Sequence, residues 1–137
     1  MERYAIKESV QPTPTGEGKK KMLILIKQGQ LTDNNKSKLS AIASAIKHDL
    51  SSDTWIIESD NRLHLHNFVI NNGVKYVISF GLDPLELSLH MDAYVPYYFY
   101  SLENYKLLFS DPLEIMLNDV NKKKALWKTL QATFLQG

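Results

Sequence analysis

The sequence contains no cysteine, and this absence excludes disulfide bonds, thiol catalysis and cysteine-based metal sites. It also lacks any apolar run near the roughly 20 residues that span a bilayer, and its start lacks the apolar stretch of a signal peptide. The formal net charge is only +1, so no strong overall field attracts nucleic acid or a membrane surface. At 137 residues the chain has the length of one domain. These features predict a small cytoplasmic protein without membrane contact.

Near residue 20 the chain divides into an N-terminal segment and a folded domain. Residues 1–20 are rich in proline, glycine and lysine, a composition that builds no core and predicts flexibility in isolation. The segment nevertheless holds Tyr4, Ile6 and Val10, interleaved with charged residues such as Lys7. A few apolar anchors in a polar tail are typical of a peptide that orders on a partner. The alternative is a tail that packs on its own domain. Residues 21–137 are predicted to form a single α/β domain.

Three apolar runs predict buried strands in the first half of this domain: "MLILI" from Met22, "TWIIES" from Thr54, and "VKYVISF" from Val74. Between the first two, a helix is predicted to begin at Thr32 or Asp33. Its apolar stripe comprises Leu39, Ile42, Ala43, Ile46 and Leu50. The segment "NRLHLHNFVINNG" fits either a short helix or irregular packing. Strands that alternate with such connections predict a mostly parallel sheet flanked by helices.

The second half is less regular, and its clearest pattern is a final helix from about Asn118 to Phe134. The inner side of this helix is predicted to carry Leu126, Trp127, Leu130 and Phe134. The aromatic stretch "YVPYYFYSL" from Tyr94 predicts another strand, with Pro96 near its start.

One tetrapeptide occurs twice, as Asp83–Glu86 and as Asp111–Glu114, each time with the letters "DPLE". Each copy offers a carboxylate as N-cap, proline at the first helical position and glutamate at the third. This is the arrangement of a capping box, in which the two side chains satisfy backbone N–H groups at a helix start. Both copies are therefore predicted to begin helices.

The stretch "GLDP" that contains Asp83 also resembles the loop of uracil-DNA glycosylases in which an aspartate positions the attacking water. Those enzymes place this aspartate after the first strand, whereas Asp83 follows the third. They also need a His-Pro pair and an aromatic residue that stacks on the flipped base. Here His90 is followed by Met91, and the region after the first strand, "KQGQLTDNN", contains no aromatic residue. We therefore interpret Asp83 as a cap. A base- or nucleotide-acting enzyme of glycosylase-like fold remains an alternative, and it requires a polar pocket that holds Asp83 and His90 together.

Other chemistry has even weaker signals. His64 and His66 alternate as metal ligands on a strand would, but no third ligand is evident nearby. The run "GEGKKK" lacks P-loop spacing and precedes a strand, and no Gly-x-Ser-x-Gly elbow occurs. We predict a non-enzyme with no catalytic, cofactor-binding or metal-binding residues and no cofactor.

The C-terminal stretch "LLFSDPLEIMLNDVNKKKALWKTLQ", preceded by "YVISFG", resembles the psi subunit of bacterial DNA polymerase III. The matching positions are Ser110, Pro112, Leu113, Leu117, Ala125, Leu126 and Trp127. Upstream, "KKMLILIKQGQLTDNNKSKLSAIASAI" is similar to the first strand and helix of that family. The order of elements agrees from about Lys20 to Phe134.

This resemblance implies a non-catalytic accessory subunit of the clamp-loader complex in DNA replication. The implied fold is a three-layer αβα arrangement with a mostly parallel sheet, related to uracil-DNA glycosylases but without their active site. The N-terminal segment would bind the clamp-loader ATPase subunit. The folded domain would bind a chi-like subunit that holds single-strand-binding protein, so that DNA is contacted only indirectly. A protein-binding module of unknown partner is a further alternative.

Residues for both contacts follow from this comparison. In the tail, Tyr4, Ile6, Lys7 and Val10 are the candidates for clamp-loader binding, although the tryptophan expected there is absent. On the domain, the candidates for the chi-like contact are Tyr94, Tyr97 and Tyr98, since tyrosine is enriched at interfaces. The alternative for these tyrosines is that some face the core and the rest are scattered over the surface.

Overall fold

The computed structural model describes residues 13–59 and 62–135 of the chain. Over these residues the chain forms five strands and four helices. The strands are β1 (Met22–Lys27), β2 (Thr54–Ser59), β3 (Tyr76–Phe80), β4 (Phe99–Ser101) and β5 (Lys106–Ser110). The helices are α1 (Asp33–Ala45), α2 (Leu65–Asn72), α3 (Leu113–Leu117) and α4 (Val120–Phe134). Within this part of the chain, no helix is both long and apolar enough to cross a bilayer.

All five strands belong to one sheet with the order β2-β1-β3-β5-β4. Neighbours are parallel from β2 to β5, and the short edge strand β4 is antiparallel to β5. The prediction of an α/β protein with a mostly parallel sheet is therefore confirmed. The crossovers through α1 and α2 supply the long connections that parallel strands require.

Helices cover both faces of the sheet. Successive residues of a strand point to opposite sides, so the apolar strands present apolar side chains on both faces. In β1, Ile24 and Ile26 pack on the face covered by α1, α3 and α4. Their neighbours Leu23 and Leu25 pack on the opposite face, against α2 and the segment after β3. The continuous apolar run in β1 thus reflects burial on two sides.

Side-chain caps fix the starts of the two longest helices. The Thr32 hydroxyl accepts a hydrogen bond from the backbone N–H of Asn35 at 3.1 Å, so Thr32, one of the two predicted residues, is the N-cap of α1. The Asp119 carboxylate accepts hydrogen bonds from the N–H groups of Asn121 and Lys122, at 2.9 and 3.1 Å. Each cap satisfies donors that a helix start leaves without partners.

Two parts of the second half differ from the prediction. No strand was predicted at β5, yet Leu107, Leu108 and Phe109 form its buried centre. The aromatic stretch from Tyr94 contributes only the three residues of β4.

In the first half of the domain, the ambiguous segment after β2 forms the helix α2, which ends at Gly73 in the left-handed conformation (φ 66°).

Residues 15–20 lie along the amino-terminal part of β2, and we call them the strap. Thr15 and Ile56 exchange two backbone hydrogen bonds of 2.9 Å in an antiparallel bridge. The N–H groups of residues 17–20 donate to carbonyls of residues 51–54. The strap lies within the N-terminal segment that was predicted to be flexible, and in the folded protein it is hydrogen-bonded to the domain.

Candidate functional site

Open α/β sheets bind ligands at the carboxyl ends of the strands where the strand order reverses, which here is the point between β1 and β3. At this point Lys27 Nζ pairs with Glu86 Oε2 at 2.8 Å. Gly81 lies close to Lys27, because a Cβ built on it would lie 2.9 Å from Lys27 Cγ and 3.2 Å from Pro112. Side chains of the protein itself therefore occupy part of this crevice.

The first "DPLE" copy closes a turn in this region. The backbone N–H of Asp83 donates to Glu86 Oε1 at 3.0 Å, and the N–H of Glu86 donates to Asp83 Oδ1 at 2.9 Å. The predicted reciprocal capping is thus confirmed, but the predicted helix is wrong, because residues 84–88 form only a hydrogen-bonded turn. Ser88 lies in the left-handed region (φ 60°) and ends it.

The second "DPLE" copy begins the helix α3, as predicted, but it makes no capping box, so that part of the prediction is wrong. Pro112, with φ −50° and ψ 147°, occupies the N-cap position of α3. The Asp111 carboxylate instead accepts hydrogen bonds from the Tyr97 hydroxyl at 2.6 Å and from Lys122 Nζ at 2.9 Å. The N–H of Glu114 donates to Gln30 Oε1 at 2.8 Å. Long-range partners have replaced the local ones.

The contacts of Asp111 change the pKa of each partner. The Tyr97 hydrogen bond, followed by the Lys122 ammonium, lowers the pKa of Asp111. Burial, followed by the hydrogen bond to Asp111, raises the pKa of Tyr97. The carboxylate also raises the pKa of Lys122. The cluster therefore holds an ion pair that joins the loop before β4, the end of β5 and the first turn of α4.

The pocket required for glycosylase-like chemistry needs Asp83 and His90 together. Both side chains are exposed, and the Asp83 carboxylate is engaged with the Glu86 N–H. A cavity of about 300 Å³ lies beside the ends of β3 and β5, lined by Tyr94, Asp111 and other residues that include neither Asp83 nor His90. This cavity therefore does not hold the two residues together.

His64 and His66 lie at the start of a helix. They are therefore not on a strand, where alternating histidines could have acted as metal ligands. His64 occupies the N-cap position of α2, and His66 lies in its first turn. Within residues 13–59 and 62–135, no three His, Asp or Glu side chains form a group suited to a metal ion.

The three tyrosines predicted to contact a chi-like partner have different surroundings. Tyr97 is half-buried, its hydroxyl binds Asp111, and its carbonyl accepts a hydrogen bond from Thr129 Oγ1 at 2.7 Å. Tyr94 is 41% exposed and packs on Phe109, whereas Tyr98 is 57% exposed. Tyr94 and Tyr98 are thus available on the surface, and Tyr97 mainly links elements within the fold.

A groove of about 400 Å³ runs between α1 and α4, and we call it the α1–α4 groove. Apolar side chains line most of it: Ala41, Ile42, Ala45, Met116, Val120, Leu126 and Trp127. Trp127 is 37% exposed and Val120 is 66% exposed, so the prediction that Trp127 belongs to the inner side of the last helix is only partly right. The other three predicted residues do face the core, since Leu126 and Leu130 are buried and Phe134 packs partly buried against it.

Sequence reasoning missed this groove, although a signal was present. Val120, Lys123, Lys124 and Trp127 recur at spacings of three, one and three residues, which places them on one face of a helix. That face adjoins the buried stripe, but the sequence does not reveal which of two adjacent apolar stripes the neighbouring helices cover.

The tail candidates Tyr4, Ile6, Lys7 and Val10 lie outside the described residues, so their assignment to a clamp-loader contact stays a prediction. No protein-family model matches the chain, and no curated protein matches it.

Proposed function

We propose that the protein is a non-catalytic accessory subunit of the DNA polymerase III clamp-loader complex. In this role it bridges the clamp-loader ATPase to a chi-like subunit and, through that subunit, to single-strand-binding protein. The resemblance to psi subunits between Ser110 and Trp127 supports this role. The mostly parallel sheet with helices on both faces is compatible with the glycosylase-like fold, lacking its active site, that the resemblance implies.

The observation that carries the proposal is the exposure of Trp127 along the α1–α4 groove. Among the residues that support the resemblance, Leu113, Leu117 and Leu126 are buried. Packing in the core therefore explains why these three positions are apolar. Trp127 is 37% exposed and lines an apolar concavity. Exposed apolar surface of this kind marks interaction sites, and tryptophan is enriched among residues that dominate binding energy.

The tail supplies the second contact of the proposed bridge. A peptide that orders on a multi-subunit ATPase loses chain entropy but can lie across several subunits at once. By binding one arrangement of these subunits better than another, it would favour that arrangement without touching the DNA. Tyr4, Ile6 and Val10 are the proposed apolar anchors, with Lys7 as a charged contact.

A truncated chain that begins at Thr13 tests this contact, because it keeps the strap and all its hydrogen bonds to β2. We expect this chain to remain folded and to lose binding to the purified clamp-loader ATPase in titration calorimetry. In the full chain, Tyr4→Ala together with Ile6→Ala is expected to weaken binding by about 2 kcal/mol or more. Trp127→Ala is the matched control, because it lies outside the tail and should leave ATPase binding unchanged. Equal affinity of the truncated and full chains would refute the proposed function.

The chi-like contact has two candidate surfaces, namely the α1–α4 groove and the exposed pair Tyr94 and Tyr98. Trp127→Ala and the double variant Tyr94→Ala/Tyr98→Ala separate them in binding assays with a purified chi-like protein. We expect the larger loss from Trp127→Ala, because Trp127 lines a mostly apolar groove of about 400 Å³, whereas the cavity of about 300 Å³ beside Tyr94 also has Ser110 and Asp111 in its wall. A larger loss from the tyrosine pair would move the chi-like contact to the surface predicted from the sequence.

A further inference from the structure

The α1–α4 groove carries positive charge beside its apolar floor. Lys123 and Lys124 line it directly, and both are exposed. Lys38 lies three and four residues before Ala41 and Ile42 on α1, and therefore on the same face of that helix. Among the described residues, none of these three lysines has a carboxylate partner, whereas the neighbouring Lys122 is paired with Asp111.

Acidic side chains near the groove are engaged elsewhere. The Asp119 carboxylate caps α4, and the Glu114 carboxylate accepts hydrogen bonds from Asn35 and Asn118. Asp33 lies beside a different concavity, with Ser37 and Leu50. The groove thus combines apolar walls with lysines that have no carboxylate partner in the part of the chain that the structure describes.

The dimensions of the groove suit a helix. Its wall on α4 extends from Val120 to Trp127, about 10 Å at a rise of 1.5 Å per residue. That length matches two turns of a helix that presents apolar residues at positions i, i+3 or i+4, and i+7.

We propose that the α1–α4 groove binds an amphipathic helix of a partner protein that carries acidic residues beside its apolar stripe. This inference rests on the proposed function in taking the groove as the surface that binds the second subunit. Charge complementarity favours this occupant over a second copy of the chain, because two copies would bring their groove lysines together. Trp127 is the apolar anchor, and Lys123 and Lys124 select the acidic flank.

Photo-crosslinking identifies the occupant directly. A full-length protein with benzoylphenylalanine in place of Ala45, an exposed groove residue, is irradiated in lysate of cells that express the protein naturally. The crosslinked peptide is then sequenced by mass spectrometry. A matched protein carries the same photoreactive residue in place of Lys36, which is exposed beside a different concavity. We expect only the Ala45 position to capture a segment with apolar residues at helical spacing and net negative charge.

Three outcomes of the crosslinking overturn the inference. Capture of a second copy of this chain, capture of a neutral or basic segment, or absence of any crosslink specific to position 45 would each contradict it. If the captured segment belongs to a replication protein but is basic, the proposed function stands and the inference fails. If the segment is acidic and helical but the clamp-loader ATPase does not bind the tail, the inference stands and the proposed function fails.

Charge reversal measures the contribution of the lysines. A synthetic peptide with the captured sequence is titrated with the full-length protein and its variants. We expect Lys123→Glu/Lys124→Glu to weaken binding at least about tenfold at low salt, and Trp127→Ala to weaken it about thirtyfold. Lys36→Glu should have no such effect, and rising salt should reduce affinity for the unmodified protein. Equal loss from the Lys36 variant would contradict a specific role of the groove lysines.

Discussion

At the scale of single residues, the Asp83–Glu86 pair shows how a motif with catalytic associations serves a structural purpose. Asp83 and Glu86 cap each other's backbone N–H groups, and Glu86 also holds Lys27 across the crevice. Each carboxylate is thus committed to contacts that define the loop after β3.

The first prediction concerns Asp83. Asp83→Ala is expected to lower the free energy of unfolding by about 0.5–1.5 kcal/mol, because the Glu86 N–H loses its acceptor, and Asp83→Asn or Asp83→Ser should largely restore it. Urea denaturation measures the difference. A water-activating aspartate would behave otherwise, so uracil excision that disappears in Asp83→Asn would contradict the structural role.

The second prediction concerns pH. Because the folded protein lowers the pKa of Asp111, this residue stabilises the fold above the ordinary aspartate pKa of about 3.9. That stabilisation is lost as the pH falls through the lowered pKa. At neutral pH, Asp111→Asn should cost about 1 kcal/mol, a small value because the side chain is partly exposed. Below the lowered pKa the two proteins should converge in stability.

Denaturation curves between pH 2 and pH 7 test this convergence. Tyr97→Phe is the matched variant, since it removes the largest cause of the pKa shift and keeps the ring. It should reduce the pH dependence in the same acidic range. Parallel pH profiles for the original protein and Asp111→Asn would contradict the role of this ion pair.

At the scale of elements, the two "DPLE" copies show what local sequence cannot decide. Both have the residues of a capping box, yet the copy at Asp83 forms the box without a helix, and the copy at Asp111 begins α3 without the box. Asp111 follows a buried strand and meets Tyr97 and Lys122, which are distant in sequence. These partners lie 14 and 11 residues from Asp111, outside the tetrapeptide, and they replace the local cap.

The third prediction concerns the strap. Gly16 has φ +95°, and a Cβ there would lie 2.3 Å from the Thr54 carbonyl oxygen. Gly16→Ala should therefore destabilise the protein by more than the about 1–2 kcal/mol that a strained φ costs alone. Gly29→Ala is the control, because φ is +88° but the space around its Cβ is open. Thermal unfolding of both variants gives the comparison, and equal losses would show that the strap has room to move aside.

At the scale of the whole molecule, the buried parallel strands were the most predictable part of the fold. β1, β2 and β3 have apolar residues facing both layers of helices, and this continuous pattern is visible without the structure. β5 was missed because its apolar centre, Leu107–Phe109, is too short to separate from an irregular segment. The α1–α4 groove was missed because it depends on how closely two helices approach.

The fourth prediction compares two truncated chains. A chain that begins at Thr13 retains the strap, whereas one that begins at Met22 leaves the β2 edge without backbone partners. We expect the shorter chain to melt about 5 °C lower than the longer one. It should also self-associate more readily, because an exposed strand edge pairs with other chains. Calorimetry measures the melting temperatures and light scattering measures self-association. Equal values for the two truncated chains would show that the strap neither stabilises the protein nor protects the β2 edge.

The order of the strands also fixes a distance. The strap holds the start of the tail at β2, while Tyr98 directly precedes β4 at the other edge of the sheet, four strand spacings away. At about 4.8 Å per spacing, these two edges are about 19 Å apart. The hydrogen-bonded sheet would therefore keep a constant distance between the attachment point of the tail and a partner bound beside β4. Residues 1–12 can extend at most about 43 Å from this attachment point.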